Sequence, residues 1–206
     1  MLMRARADET VIMALWAAAL VLSAINPKDP LIWFMEVLPV LIAAPLIWVT
    51  RARFPLSRVL LWCAFAHGLI LIMGGHYTYA HVPAGFYLQD MFGFARNPYD
   101  RIGHLAQGFV PALLTREILL RTTPLRPGKM LFVLACSVPL AFSAFYEMIE
   151  WWAAVIMDQD AEAFLGTQGD PWDTQSDMFM ALLGAVAAQL VFQGRQDRQL
   201  AKAGAL

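Results

Sequence analysis

Long apolar runs separated by short polar gaps constrain this chain more than any other feature. A helix needs about 20 mostly apolar residues to cross a bilayer. Runs near that length extend from about Thr10 to Ile25, Leu31 to Val49, Leu56 to Tyr77, Ile102 to Leu120, Met130 to Met157 and Ser176 to Phe192. The fourth is the most polar, carrying His104, Gln107, Arg116 and Glu117. Pro39 and Pro45 fall inside the second and predict a kink, which neighbouring helices in a membrane can accommodate. The expected fold is an all-α, polytopic membrane helix bundle of six transmembrane helices, forming a single integral membrane domain over residues 1–206.

Composition agrees. Only 15% of residues are charged, against about a quarter in soluble domains, and mean hydropathy is +0.55. The lipid bilayer is therefore the expected partner. A net charge of −1 gives nucleic acid no electrostatic foothold. Cys63 and Cys136 both sit in apolar runs, outside any CxxC pattern, and read as small buried hydrophobes. The first run has the positive start and apolar core of a signal peptide, but "LSAINP" is a poor cleavage context, so it reads as a retained span.

Orientation follows from the basic residues. Arg4 and Arg6 precede the first run, and Arg51, Arg53 and Arg58 follow the second. Arg116, Arg121, Arg126 and Lys129 lie at and after the end of the fourth, and Arg195, Arg198 and Lys202 follow the sixth. The other gaps hold only Lys28, Arg96 and Arg101. So twelve of fifteen cations fall in alternate segments, and the positive-inside rule puts those segments, with both termini, in the cytoplasm. Dropping one span would break the alternation.

The opposite, periplasmic side is acidic and aromatic, and three pairs there stand at helical spacing. Asp100 and His104 are i,i+4, Glu147 and Glu150 are i,i+3, and Asp173 and Asp177 are i,i+4, so each pair shares a helix face. Glu147 lies 17 residues beyond Met130, about 25 Å along a helix and near the outer boundary. Three helices thus bring acidic groups and a histidine to one depth. Carboxylates within "SAFYEMIEWW" are costly in lipid unless they face the bundle interior and meet a partner. Candidate partners are Arg101, His104, His76, a metal or transported protons. Structural readings stand beside this one. Asp100 is a suitable helix N-cap, as are Asp173 and Thr174. Glu147 and Arg101 could form an interhelical ion pair, and Tyr77, Tyr79, Trp151, Trp152 and Trp172 suit an interfacial aromatic belt.

The stretches "GGHYTY", "RNPYDRIGHLAQGFVPALLTRE", "SAFYEMIEWW" and "FLGTQGDPWDTQSDMFMALLGA" resemble the YjdF-like family of bacterial inner-membrane proteins over roughly Leu61 to Leu190. That resemblance implies topology and inner-membrane location but no reaction. A weaker one is to VanZ-like membrane proteins, in which an Asp and a His open one helix, a Glu lies on the next, and an Arg…Asp segment opens a last helix rich in small residues. Asp100, His104, Glu147 or Glu150, and Asp177 before "MFMALLGAVA" match that order, with "QGDPWDTQ" standing where an Arg is found. It implies a role in the cell envelope, glycopeptide tolerance in some members.

Three functions compete on the sequence. The first is an accessory or envelope-associated membrane protein whose polar cluster holds the bundle together, aided by the small residues Ala181, Gly184, Ala185, Ala187 and Ala188. The second is a metal-dependent, membrane-embedded hydrolase acting on an envelope lipid or lipid-linked group. A divalent metal would be its cofactor, His104, Glu150, Asp173 and Asp177 its ligands, and Glu147 and Arg101 the catalytic candidates, with Asp100 and His76 nearby. The third is a proton-coupled transporter or channel component, for which six spans are few unless the chain forms a homo-oligomer.

Overall fold

Asp29-Pro30 marks the clearest helix start in the sequence, and the backbone follows it. In the computed structural model, which describes residues 2–157 and 168–204, Asp29 caps the second helix. Its Oδ1 accepts from the Leu31 and Ile32 amides at 2.8 and 3.0 Å, satisfying two of the amide donors that a helix start leaves orphaned. Pro30 occupies the first helical position, where its fixed φ suits the turn and its missing N–H costs nothing.

The helices are α1 (Leu2–Ser23), α2 (Pro30–Thr50), α3 (Arg58–Tyr77), α4 (Pro83–Phe92), α5 (Tyr99–Thr122), α6 (Lys129–Met157) and α7 (Asp173–Lys202), with a 3-10 turn at Tyr79–His81. No strand occurs among the described residues. The protein is thus all-helical, as expected, and α2 runs unbroken through Pro39 and Pro45. Four helices, α2, α3, α6 and α7, are long and apolar enough to cross a membrane. α1 and α5 match them in length at 22 and 24 residues. Charged residues, Asp8 and Glu9 in α1 and Asp100, Arg101, Arg116 and Glu117 in α5, leave those two less apolar.

Two boundaries differ from the apolar runs. α1 begins at Leu2 and α7 continues to Lys202, because Arg, Gln, Leu and Lys are good helix formers wherever the apolar run ends. α4 had no counterpart in the sequence reading, although its punctuation is present. Pro83 stands in its first turn, and Gly93 at φ 67° closes it, donating its N–H to the Gln89 carbonyl.

The chain divides into two compact units, residues 1–78 with 194–206 and residues 79–193. α7 therefore contributes its first part to the second unit and its last turns to the first. In the first unit, α1, α2 and α3 pack around Ile12, Trp16, Val37, Val40, Leu61 and Ile72. Gly68 makes room for Trp16, whose indole a Cβ there would strike, and the indole N–H donates to the Phe65 carbonyl at 3.2 Å. At one end of this unit Asp8 of α1 pairs with Arg58 of α3 at 2.6 Å, and Gln199 of α7 accepts from the Val59 amide at 3.1 Å. At the other end Ser23 gathers Trp33 and His76, at 3.0 and 2.8 Å. Successive helices therefore run in alternating directions, as an up-and-down bundle requires.

Candidate functional site

The second unit brings polar groups from three helices together, beginning with Asn97. Its Oδ1 accepts from the Tyr99 amide at 3.0 Å, an Asx turn that launches α5. Its Nδ2 donates to the Val82 carbonyl at 3.1 Å, tying the start of α4 to the start of α5. Gly85 lies so close that a Cβ would overlap the Asn97 amide group. The Gln168 side chain both accepts from the Asn97 amide and donates to its carbonyl, each at 3.1 Å. Asn97 thus does the local work that the sequence assigned to Asp100. α5 has Pro98 at its N-cap position and no side-chain cap, so Asp100 lies inside the first turn with its carboxylate available.

That carboxylate faces His104 one turn on, Oδ1 to Nε2 at 3.6 Å. The other ring nitrogen, Nδ1, faces Glu147 of α6 at 3.9 Å, and α7 adds Asp177. One ligand atom from each of Asp100, His104 and Asp177 lies within 4.8 Å of the others. His104 and Asp177 are more than nine-tenths buried. α5 and α7 approach this closely because their contact positions lack bulk. A Cβ on Gly108 would run into the Ala181 carbonyl, one on Gly184 into the Leu105 carbonyl, and one on Gly103 into the Tyr79 ring.

A second layer flanks the trio. Arg96 forms a very short ion pair with Asp173 and lies 4.0 Å from Asp170. Arg101 pairs with Asp170 at 2.7 Å rather than with Glu147. Asp170 also accepts from the Trp172 amide at 2.9 Å, bending the chain into α7. Around the site, the carboxylates of Asp100, Glu147, Asp170, Asp173 and Asp177 outnumber the guanidiniums of Arg96 and Arg101 by three. A protonated His104 would still leave a formal excess of two negative charges in a largely buried volume. Buried charge requires compensation.

The hydrogen bonding is also incomplete. His104 Nδ1, Glu147 Oε1, Asp177 Oδ1 and Ser143 Oγ are all buried without a hydrogen-bond partner, and the 3.6 and 3.9 Å spacings exceed hydrogen-bond length. Buried polar atoms are rarely left in this state. A site with excess carboxylate, an imidazole and unmet acceptors has the donor set of a divalent cation, with carboxylate oxygen and imidazole nitrogen suiting manganese or zinc.

The remaining sequence candidates fall elsewhere. Glu150 is half-buried one turn beyond Glu147, outside the trio. Asp173 opens α7 and takes Arg96. His76 belongs to the first unit, where Nδ1 pairs with the Ser23 carbonyl. Trp151, Trp152 and Trp172 are exposed, as a belt requires, but Tyr79 packs inward on Gly103 and on the Tyr99 ring, with centroids 5.7 Å apart. Sequence reasoning missed Ser143, although its i,i+4 spacing to Glu147 places both on one face. It also missed Asn97 and Gln168, whose roles depend on backbone groups far away in the chain.

The fold and site together define a class: a helical, multi-pass membrane protein with a buried histidine–carboxylate cluster at one end of its helices. Within that class the chain belongs to the family described as "Predicted membrane protein (DUF2238)", which matches residues 9–198. It is 52% identical over 185 residues to inner membrane protein YjdF of Escherichia coli (strain K12), covering 90% of this chain and 88% of that protein. No solved structure matches.

Proposed function

We propose that this chain is a bacterial inner-membrane protein of six spans, with both termini cytoplasmic, that binds a divalent cation at its periplasmic end and acts in an envelope-associated role. The single observation carrying this reading is the convergence of Asp100, His104 and Asp177 within 4.8 Å, where the buried Asp177 Oδ1 has no hydrogen-bond partner. His104 suits this arrangement. With Nε2 turned toward Asp100, Nδ1 turns toward Glu147, and a metal-ligating histidine normally gives its second nitrogen to a carboxylate that fixes the ring. Glu147 is then a positioning residue for His104. Three protein ligands leave room for water, so metal-assisted hydrolysis of a lipid-linked envelope group is the reaction the geometry best accommodates. The name of the E. coli relative supports the location. The alternating helix directions of the first unit, together with the arginine distribution, support the six-span threading.

Metal content tests the proposal directly. Purified protein is expected to carry about one manganese or zinc per chain. At a hundredfold excess of ion over Kd, binding is expected to add about 2.7 kcal/mol of stability. Asp177→Asn and His104→Ala should each abolish that increment. Wild-type protein that holds no ion, and whose thermal unfolding ignores both added metal and chelator, refutes the cation site.

Orientation is read separately, in a background lacking Cys63 and Cys136. Asp90→Cys, at an exposed polar position of α4, should react with an impermeant maleimide in spheroplasts, whereas Ala201→Cys should react only after lysis. The reverse pattern overturns the threading.

A further inference from the structure

A cleft of about 680 Å³ lies beside the polar site within the second unit, in the size range of small-ligand pockets. Leu88 and Phe92 of α4, Ile102 of α5 and Met180 of α7 supply apolar walls, and Arg101 and Asp170 supply the polar end. We propose that this cleft binds a single membrane phospholipid carrying both a phosphate and an amine in its headgroup.

Three observations carry the assignment. First, the apolar wall continues into exposed surface. Phe86, Tyr87, Met91, Phe92 and Phe94 are all largely exposed on or just after the ten-residue α4. Short amphipathic helices with such a face lie in the bilayer interface, and an apolar patch of this kind would be a liability in water. Second, the polar end matches a zwitterion. Arg101 gives Nη2 to Asp170 at 2.7 Å, and its side chain stays about a third exposed, so guanidinium donors remain for a phosphate. The Asp170 carboxylate beside them suits an ammonium. Third, Arg101 and Asp170 also border the polar site through Arg96 and Asp173. A lipid seated here would present its headgroup toward the His104 cluster. The inference shares the membrane placement proposed above but does not require the cation.

Native mass spectrometry in chelator, with phosphatidylethanolamine as the probe, tests it independently of metal. Wild-type protein should retain one lipid, and Met180→Trp, which fills the cleft, should weaken retention about tenfold. Phe86→Trp, outside the lining, should not. Arg101→Gln should weaken phosphatidylethanolamine but leave diacylglycerol unchanged. Millimolar inorganic phosphate should not displace the lipid; displacement would assign the site to free phosphate instead. Should Met180→Trp fail to fold, the wild-type protein still decides the matter. In nanodiscs, a phospholipid with a photoactivatable acyl chain should label Leu88, Phe92, Ile102 or Met180. Labelling confined to outward residues such as Phe142 and Val155, or equal retention by folded Met180→Trp, overturns the proposal.

Discussion

Replacing Gly108 with valine is expected to unfold the second unit or to lower its stability by about 3 kcal/mol or more. A Cβ at this position would meet the Ala181 carbonyl carbon and oxygen, and backbone cannot rotate away as a flexible side chain can. Relief requires moving α7 away from α5, which breaks interdigitated packing. Overpacking of tight cores costs about 1–3 kcal/mol even where side chains can give way, and here they cannot. Gly184→Ala presses on the Leu105 carbonyl from the opposite helix and should act in the same direction. Gly194→Ala is the control, because its Cβ would meet only the Arg198 guanidinium at an ordinary 3.7 Å, and at this exposed helix-interior position it should be neutral to stabilising by up to about 1 kcal/mol. Thermal unfolding in detergent, followed by tryptophan fluorescence, separates the three. A Gly108→Val protein as stable as wild type would mean that α5 and α7 do not pack at these glycines. The same substitution should abolish the cation binding proposed above, since it parts His104 from Asp177.

The second large effect is expected at Arg96. Its guanidinium pairs with Asp173 and stands 4.0 Å from Asp170, and both Arg96 and Asp173 have largely buried side chains. Arg96→Met would leave Asp173 buried among other carboxylates with no cation beside it. Breaking one side of a buried pair typically costs about 3–5 kcal/mol, whereas replacing both sides with apolar groups is often close to neutral. The double variant Arg96→Met/Asp173→Leu should therefore recover most of the stability lost by Arg96→Met alone. Guanidinium-free thermal melts of the four proteins give the coupling directly. Additive losses would show that the pair contributes no interaction of its own. If the trio binds the cation proposed above, the recovered double variant should bind it as wild type does, because Asp173 lies outside the trio of Asp100, His104 and Asp177.

Much of the candidate site was legible from spacing alone. Helical periodicity puts Asp100 and His104 on one face whatever the helix packs against, and the same holds for Asp173 and Asp177. Depth, counted from the start of each apolar run, brought Glu147 to their level. Choosing between Glu147 and Glu150 was beyond this reasoning. The two are three residues apart, and only the rotation of α6 decides which one meets His104. The same limit applies to His76, which lies close to Tyr79 in sequence yet pairs with Ser23. It applies again to Asp100, whose suitability as an N-cap was real but was overtaken by Asn97, three residues earlier, whose amide reaches both the Tyr99 N–H and the Val82 carbonyl. α4 was legible in principle through Pro83 and Gly93, but its ten residues are too few for an apolar run to announce.

The sequence by itself determined that this chain is helical and belongs in a membrane. Runs of apolar residues this long can satisfy their backbones in lipid only within each segment, so no partner is needed to specify them. It also set which ends of the helices carry acid and which carry arginine. The tertiary structure alone decided which of those groups touch. Contact between side chains on different helices depends on helix rotation and close approach, and these are set by glycines at 108 and 184 meeting backbone carbonyls far along the chain.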